Sequence, residues 1–267
     1  MRDFGLVSII TPNHNGARFV EQTIKSVLAQ TYTNWEALIQ DDNSTDNSME
    51  ILEKWAAMDE RIKVERNPQN AGAAVTRNNA IKRSKGHYLA FLDSDDIWLP
   101  EKLEKQISFM VENKCDFSFT RYEHIDENGK SLYKQANVTR HLSYRKMMMH
   151  CWPGCLTVMY RQDQNNKIYC GDVKKNNDTA LFLRAIKICK NGMGLDECLA
   201  LYRIRKGSIS RNKWKIIKPF VKVIYEFEGK SLFWAYFCVF THNIIKVLFK
   251  YRKITSEQSV AGYIDQI

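Results

Sequence analysis

The sequence changes from Tyr88-Leu89-Ala90-Phe91-Leu92, an apolar run, to Asp93-Ser94-Asp95-Asp96, an acidic turn, with no residue between them. The apolar run is typical of a buried parallel strand. Three carboxylates at the end of such a strand repel one another and resist loss of water, so they need a partner. Mg²⁺ or Mn²⁺ binds through one or two carboxylates and leaves positions open for the phosphates of a substrate. The turn is therefore either a metal–diphosphate site or a solvated acidic turn before the helix expected near Pro100.

Three earlier segments have the same order of apolar strand and polar loop. The strands are expected at residues 6–10, 35–40 and 62–65, and their loops at 11–16, 41–46 and 67–72. Helical patterns separate them, so the first hundred residues predict a twisted parallel sheet with right-handed crossovers. Ligands bind at the carboxyl ends of the strands in such sheets. We therefore expect the four polar loops to meet at one edge.

The pattern is mixed after Pro100. The sequence predicts a helix to about residue 113, a strand over 115–125, a hairpin turn at 126–129 and a strand over 156–160. A helix is expected over 178–190, closed near Gly192 or Gly194, and a last strand over 199–203. This half is predicted to extend the first sheet.

The composition limits the class of protein and its partners. The chain has 267 residues, of which 44% are hydrophobic and 26% charged, as in an ordinary folded protein. Forty basic and 30 acidic residues give a net charge of +10, which favours nucleotide phosphates, anionic lipid or nucleic acid as partners. The seven cysteines form no zinc-binding pattern and are expected to be idle thiols in a reducing cytosol. The N-terminus lacks a signal-peptide pattern, so we expect no export.

The polar loops, taken together, resemble those of the family 2 glycosyltransferases. The matching segments are Val7-Ser8-Ile9-Ile10-Thr11-Pro12 with Asn15, Asp41-Asp42-Asn43-Ser44-Thr45-Asp46, Asn70-Ala71-Gly72 with Arg77-Asn78, and Phe91-Leu92-Asp93-Ser94-Asp95-Asp96 with Trp98. A thinner match covers Asn177-Asp178 with Leu183-Arg184 and the segment 202–210. These are small, metal-dependent, inverting enzymes of bacterial surface-polysaccharide synthesis.

The resemblance implies an α/β chain with a GT-A fold. This fold has a Rossmann-like, mainly parallel twisted sheet flanked by helices, here followed by a C-terminal helical tail. We accordingly expect a nucleotide-sugar-binding part (1–110) and an acceptor-binding part of the same domain (111–210). Beyond residue 211, which the resemblance does not cover, we expect a basic amphipathic helical tail (211–267).

The resemblance also implies the residues that bind the nucleotide, namely Pro12, His14, Asp42, Gly72, Arg77 and Asp93. Asp42 would accept a hydrogen bond from the uracil imide, or else cap the following helix. His14, where the family usually has Tyr, would stack on the base. Gly72 would let the nucleotide approach the backbone, or serve only as a helix-entry glycine. Arg77 would reach the base or the diphosphate, with a solvated helix arginine as the alternative, and Asp93 would hold the ribose.

The remaining implied roles concern the metal, the diphosphate and the acceptor. Asp95 would bind Mn²⁺ or Mg²⁺, and Arg203 and Arg205 would contact the diphosphate. Arg205 stands where the family often has a metal-binding His, so a phosphate clamp is preferred there. Asp178 would be the general base, or only an N-cap of its helix. Asn177, where the family commonly has Glu, and Trp152 are acceptor candidates, although Trp152 fits a core position equally well.

The tail combines cations with aromatic side chains over residues 213–253. Its apolar segment 232–240 is too short to span a bilayer. One helical face carries Phe233, Phe237, Phe240, Ile244 and Val247. A basic amphipathic helix of this kind suits an anionic membrane surface, and it suits packing on the catalytic domain as well. We expect a cytoplasmic protein, peripheral on the inner face of the plasma membrane.

The sequence thus predicts an inverting glycosyltransferase. It would move a sugar from a nucleotide sugar, UDP-linked, to a hydroxyl of a glycan or lipid-linked acceptor in cell-surface polysaccharide synthesis. A sugar-phosphate nucleotidyltransferase is one alternative, although residues 13–16 do not supply its glycine-rich loop. A non-catalytic nucleotide- or membrane-binding module is another. Nucleic acid is not an expected partner, because the basic residues of the tail lie among long apolar side chains.

Overall fold

A single twisted sheet runs through the computed structural model, which describes residues 3–150, 153–171, 173, 176–205 and 214–267. Its first half alternates strands and helices: β1 (Val7–Asn13), α1 (Val20–Leu28), β2 (Trp35–Asp41), α2 (Ser48–Met58), β3 (Ile62–Arg66), α3 (Ala73–Arg83) and β4 (Tyr88–Phe91). β1 pairs in parallel with both β2 and β4, and β2 pairs in parallel with β3. The predicted parallel sheet is therefore confirmed.

The second half extends the same sheet with strands of mixed direction. Its elements are β5 (Ile97–Trp98), α4 (Lys102–Glu112), β6 (Phe117–Ile125), β7 (Ser131–Ala136), β8 (His141–Leu142), α5 (Tyr144–His150), β9 (Met159–Arg161), α6 (Asn177–Cys189) and β10 (Gly192–Arg203). β9 joins the halves, because it pairs antiparallel with both β4 and β6. β10 runs parallel to β6. The predicted extension is confirmed, whereas the boundaries near residues 110 and 210 stay predictions.

Both faces of the sheet are covered, which explains the unbroken apolar run of β4. Leu89 and Phe91 face a core formed with α3, α5 and α6. Tyr88 and Ala90 face the opposite core, formed with α1, α2 and α4. Successive side chains of a strand point to opposite faces, so a strand buried on both sides needs apolar residues throughout.

Two local predictions in the second half are wrong. α6 ends at Cys189 and is capped by Lys190 in the left-handed conformation, with φ of 60°. Gly192 and Gly194 instead begin β10, where a Cβ would lie 2.7 Å from Leu142 O and 2.5 Å from Thr139 O respectively. The strand expected over 156–160 starts only at Met159, because Cys155–Thr157 forms a 3₁₀ turn.

The tail contains the predicted helices, and it also contributes a strand that the sequence analysis did not predict. Its helices are α7 (Trp214–Lys222), a π-helical turn (Val223–Phe227) and α8 (Leu232–Leu248). β11 (Tyr251–Lys253) then pairs antiparallel with β7, so the tail supplies an edge strand. A 3₁₀ helix (Ala261–Gln266) packs on a small apolar cluster that contains Ile97 and Ile125. In the described part of the chain, no helix is both long and apolar enough to cross a membrane.

Candidate active site

The loops that follow β1, β2, β3 and β4 meet at one edge of the sheet, as predicted. Asp42 N donates to Asn13 O at 2.8 Å, and Asn67 N donates to Asp41 O at 2.7 Å. Asn15 N donates to Ser44 Oγ at 2.9 Å. These bonds join residues that lie far apart in sequence, so the strand ends form one continuous polar rim.

Asp42 ties the loops after β2 and β3 together. Its Oδ1 accepts from Asn67 Nδ2 and Ala71 N, both at 2.8 Å, and its Oδ2 accepts from Gly72 N at 2.8 Å. Burial acts to raise the pKa of Asp42, but these donors outweigh it and hold the pKa below its usual value. A carboxylate offers about four acceptor positions, so these three bonds leave room for one more donor such as an imide N–H.

The other residues assigned to base binding surround Asp42. His14 is exposed, and its Nδ1 lies 3.0 Å from Asp42 O. Pro12 is half-buried within β1 beside Gln40 of β2. Gly72 caps α3 with φ of 83°, a conformation that favours glycine, and a Cβ there would meet nothing within 4 Å. The backbone conformation, and not crowding, therefore explains Gly72, and the space beside it is open.

The acidic turn after β4 holds its three carboxylates in different surroundings. Asp93 is partly exposed, whereas Asp96 is buried and its Oδ1 accepts from Arg203 N at 2.9 Å. Burial raises the pKa of Asp95; Arg205 opposes this shift and Asp93 adds to it. Burial, together with the charges of Asp95 and Asp93, also raises the pKa of Asp96 well above its usual range. The turn therefore gathers three acidic side chains at the rim, where Asp93 pairs with Arg77 and Asp95 pairs with Arg205.

Arg203 and Arg205 both contact the acidic turn, but their surroundings differ. Arg203 is 3% exposed, and its guanidinium donates to Asp95 O, Glu127 O and Gln22 Oε1. Arg205 is half-exposed, and its Nε lies 2.6 Å from Asp95 Oδ2. Diphosphate binding stays a prediction for both. The contacts of Arg203 fit support of the turn, whereas Arg205 pairs with Asp95 from a half-exposed position.

Arg77 connects the acidic turn to α6. The side chain is 4% exposed and donates through Nη2 to Asp93 Oδ1 at 2.9 Å and through Nη1 to Asn177 Oδ1. Asn177 is the first residue of α6, and Asp178 follows it. One guanidinium thus joins Asp93 to Asn177, the residue before the predicted base, and the alternative of a solvated Arg77 is wrong.

Asp178 lies in the first turn of α6, while Asn176 occupies the N-cap position. Its Oδ1 accepts from Thr179 N at 2.8 Å, and the side chain is half-buried. The first turn of a helix is a favourable position for an acidic side chain, because the positive end of the helix dipole lies there. Catalysis by Asp178 stays a prediction, and the acceptor candidate Trp152 lies outside the described residues.

Comparison with known proteins decides the family. The model of the family described as "Glycosyl transferase family 2" matches residues 8–173. The chain belongs to this family. Family membership selects the glycosyltransferase among the three functions that the sequence left open.

Two curated relatives of this glycosyltransferase match nearly the whole chain. It is 41% identical over 243 residues to the putative teichuronic acid biosynthesis glycosyltransferase TuaG of Bacillus subtilis, covering 90% of this chain and 96% of TuaG. It is 39% identical over 236 residues to WfgD of Escherichia coli, a UDP-Glc:alpha-D-GlcNAc-diphosphoundecaprenol beta-1,3-glucosyltransferase, covering 87% and 90%.

Solved structures confirm the GT-A fold of the glycosyltransferase. S. aureus TarS 1-349 in complex with UDP-GlcNAc superposes with a TM-score of 0.70 at 20% identity, over 91% of this chain and 73% of that one. The mannosyltransferase PcManGT from Pyrobaculum calidifontis, in complex with GDP-Man and Mn²⁺, gives 0.61 at 12% identity, over 91% and 76%.

The acidic turn of the glycosyltransferase fits a divalent cation only with help from a ligand. Among the described residues, no group of three or more His, Cys, Asp or Glu side chains is arranged to hold a metal by itself. The raised pKa of Asp95 nevertheless reflects a carboxylate that a nearby cation would relieve. Oxygen donors of this kind suit Mg²⁺ or Mn²⁺ when phosphate oxygens complete the shell.

Sequence reasoning did not select two residues that support the site. Asn67, 2% exposed, bonds Asp42 and also donates to Thr76 Oγ1 at 3.0 Å. Cys155 lies with its Sγ 3.7 Å from Arg77 Nη2. The position of Asn67 just after β3, at the rim, was a usable signal, whereas nothing in the sequence around Cys155 indicates its contact with Arg77.

Proposed function

We propose that this glycosyltransferase moves a sugar, with inversion, from a UDP-sugar to a hydroxyl of a lipid-linked glycan acceptor in surface-polysaccharide synthesis. One observation carries the proposal: Arg77 contacts both Asp93, at the rim, and Asn177, beside Asp178. Through this contact one buried guanidinium touches Asp93, the proposed donor-binding carboxylate, and Asn177, the neighbour in sequence of the proposed base Asp178.

The names of the compared proteins support the donor and acceptor classes. WfgD is named for a UDP-Glc donor and a diphosphoundecaprenol-linked acceptor, and TarS binds UDP-GlcNAc in its crystal structure. TuaG is named for teichuronic acid biosynthesis. We infer similar substrates for this chain, because its strand-end loops form a rim of the kind at which nucleotides bind.

The nucleotide would lie along the rim. The free acceptor position of Asp42 would receive the uracil imide N–H, and the exposed ring of His14 would stack on the base. Pro12 and the open space beside Gly72 would border the nucleoside. Asp93, fixed by Arg77, would accept from the ribose hydroxyls.

The acidic turn would stabilise the departing diphosphate. A divalent cation bound by Asp95 would supply Lewis-acid stabilisation of the negative charge that develops there. The same event would free Arg205 from Asp95, so that its guanidinium could bind the phosphate oxygens. Arg203 would keep the turn in place through its bonds to Asp95 O and Glu127 O.

Asp178 would accept the proton of the acceptor hydroxyl as the oxygen attacks the anomeric carbon. The carbon–oxygen bond to the diphosphate breaks on the opposite face of the sugar, which inverts the configuration. One carboxylate suffices for this route, because no covalent sugar–enzyme intermediate forms.

We also place the protein at the cytoplasmic membrane surface. An acceptor on a lipid pyrophosphate presents its sugar there, and residues 214–253 carry eight basic and two acidic residues. Anionic lipid attracts such a segment.

A donor screen with a base variant tests the proposal. Purified protein with Mn²⁺ and a short-chain lipid-pyrophosphate acceptor is incubated with single nucleotide sugars, and free nucleoside diphosphate is measured. We expect release from a UDP-sugar, and a loss of about 10²–10⁴-fold in turnover for Asp178→Asn with unchanged UDP affinity. Asp163→Asn, on an exposed loop, is the matched control. Unchanged turnover in Asp178→Asn would refute the assigned base.

A further inference from the structure

The outer face of α8 exposes its largest apolar side chains. Phe233, Phe240 and Val247 are 81%, 63% and 77% exposed, and Phe237 and Ile244 lie between them. We call these five residues the apolar stripe. α8 packs inward through its small residues Ala235, Cys238 and Val239. Folded monomers rarely leave an apolar patch of this extent uncovered, so the stripe indicates a partner.

A cationic groove opens beside the start of the stripe. Its cavity of about 500 Å³ is lined by Tyr144, Arg145, Met148, Lys230, Ser231 and Trp234. The guanidinium of Arg145 lies 5.6 Å from the ring centroid of Trp234, and the ammonium of Lys230 lies 5.9 Å from that of Tyr144. We call this cavity the α5–α8 groove.

The two cations of the α5–α8 groove have no acidic partner among the residues that the structure describes. Glu228 is close, but its Oε2 accepts from Tyr144 Oη at 2.5 Å and lies 3.4 Å from Lys187 Nζ. Its charge is therefore met by Lys187. Arg145 and Lys230 remain available to an anion from outside.

We propose that the α5–α8 groove binds the phosphate headgroup of an anionic membrane lipid while the apolar stripe enters the adjacent acyl region. This inference rests on the proposed membrane location and assigns it a binding site. Aromatic side chains next to long cationic ones match the boundary between headgroups and acyl chains. A second copy of the chain fits less well, because facing stripes would bring the like charges of Arg145, Lys230 and Lys246 together.

A short stretch of chain links α5, which lines the groove, to a neighbour of Arg77 in the active site. Thr241 Oγ1 donates to Met149 O at 3.3 Å, and His242 Nδ1 lies 3.2 Å from His150 O, so α8 is fixed to the end of α5. Cys155, the Arg77 neighbour, follows five residues after His150 and can be at most about 18 Å away. This length of chain limits how far the end of α5, and α8 with it, can lie from the contact between Cys155 and Arg77.

Vesicle flotation with the full chain tests the proposal. The probes are vesicles of phosphatidylcholine alone and of phosphatidylcholine mixed with phosphatidylglycerol. We expect binding to the mixed vesicles only, weakened about fivefold by Arg145→Ala and by Lys230→Ala, since each basic residue at an anionic surface contributes about that factor. Lys54→Ala, on α2 at the opposite face of the sheet, removes the same charge and should change nothing.

A stripe variant separates insertion from charge attraction. Phe240→Ser alters an exposed side chain and should weaken binding to the mixed vesicles, while circular dichroism reports an unchanged fold. Equal binding to both vesicle types, or equal effects of Arg145→Ala and Lys54→Ala, would overturn the proposal. Two other outcomes would also overturn it. One is that soluble glycerol phosphate competes for the protein as strongly as added vesicles do. The other is that the protein associates with itself without lipid and that Phe240→Ser abolishes this association. Flotation needs no nucleotide sugar, so it measures lipid binding separately from sugar transfer. Lipid binding without sugar transfer would contradict the proposed function alone, and sugar transfer without lipid binding would contradict the lipid site alone.

Discussion

Replacing Arg77 by lysine should damage both stability and turnover. Lysine keeps the charge but lacks the planar fork that lets Arg77 donate to Asp93 and Asn177 together. The bond to the buried amide of Asn177 contributes about 1 kcal/mol. The pair with Asp93, whose side chain is 36% exposed, contributes about 1 kcal/mol after solvent screening. We therefore expect Arg77→Lys to lower the free energy of unfolding by about 2 kcal/mol.

If the proposed function is right, the same loss should appear in catalysis, because both bonds would position groups around the sugar. A loss of about 2 kcal/mol in the transition state corresponds to about a 30-fold lower kcat/KM. Urea unfolding gives the first quantity and release of UDP the second. Arg83→Lys is the matched control, since Arg83 lies on the same helix and donates to Gln40 Oε1 at 3.0 Å, away from the acidic turn.

A double-mutant cycle that combines Arg77→Lys with Asn177→Ala measures the coupling between these two side chains. If Arg77 acts through Asn177, the two changes should couple by about 1 kcal/mol in unfolding. Additive effects, or an Arg77→Lys variant with the turnover of the wild type, would contradict the positioning role.

Three further predictions follow from single side chains. Asp95→Asn removes the carboxylate that we propose binds the cation, so UDP release in Mn²⁺ should fall at least about 100-fold. Release by the wild type should fall as much in EDTA, and full activity in EDTA would argue against the metal. Burial lowers the pKa of His124 to about 4, whereas the pKa in the unfolded chain is about 6.5. The unfolded state therefore takes up the proton first, and the free energy of unfolding falls by about 3 kcal/mol as the pH decreases from above 6.5 to 4. His124→Asn, which can still donate to Lys134 O, should flatten this slope in urea unfolding between pH 7 and pH 4.5, and an unchanged slope would assign it to other groups. Lys102 is fully buried, its pKa is lowered well below the usual range by burial, and its Nζ has no hydrogen-bond partner among the described residues. Lys102→Met should therefore raise the free energy of unfolding by about 1–2 kcal/mol, more at pH 6 than at pH 9, and a lower urea midpoint would contradict this.

The rim could be predicted from sequence because its signals are local. Each strand is an apolar run and each loop after it is polar, so the position of Asp42 or Asp95 follows from a few neighbouring residues. The parallel order of β1, β2 and β4 follows from the helices between them. The same reasoning found the apolar stripe, because a helical face is set by residue spacing alone.

The elements that the sequence did not predict correctly depend on contacts between distant segments. Gly192 looks like a helix-ending glycine, yet it begins β10, where Leu142 O leaves no space for a Cβ. Tyr251 sits in a segment that looked helical, yet it joins β7 because that edge of the sheet offers unpaired backbone groups. Spacing along the chain gives no information on either neighbour.

By itself the sequence determined which chemistry collects at the rim: carboxylates, a glycine turn and arginines, each set by its place after a strand. Only the tertiary structure decided how these groups are shared. Arg203 and Arg205 are alike in sequence, but one is buried under the acidic turn and the other pairs with Asp95 from the solvent side. Arg77 contacts Asn177, a hundred residues away, because packing of α6 against α3 brings them together. Spacing along the chain determines on which face of a helix or strand a residue lies. The residue that it contacts depends on which elements pack against that face.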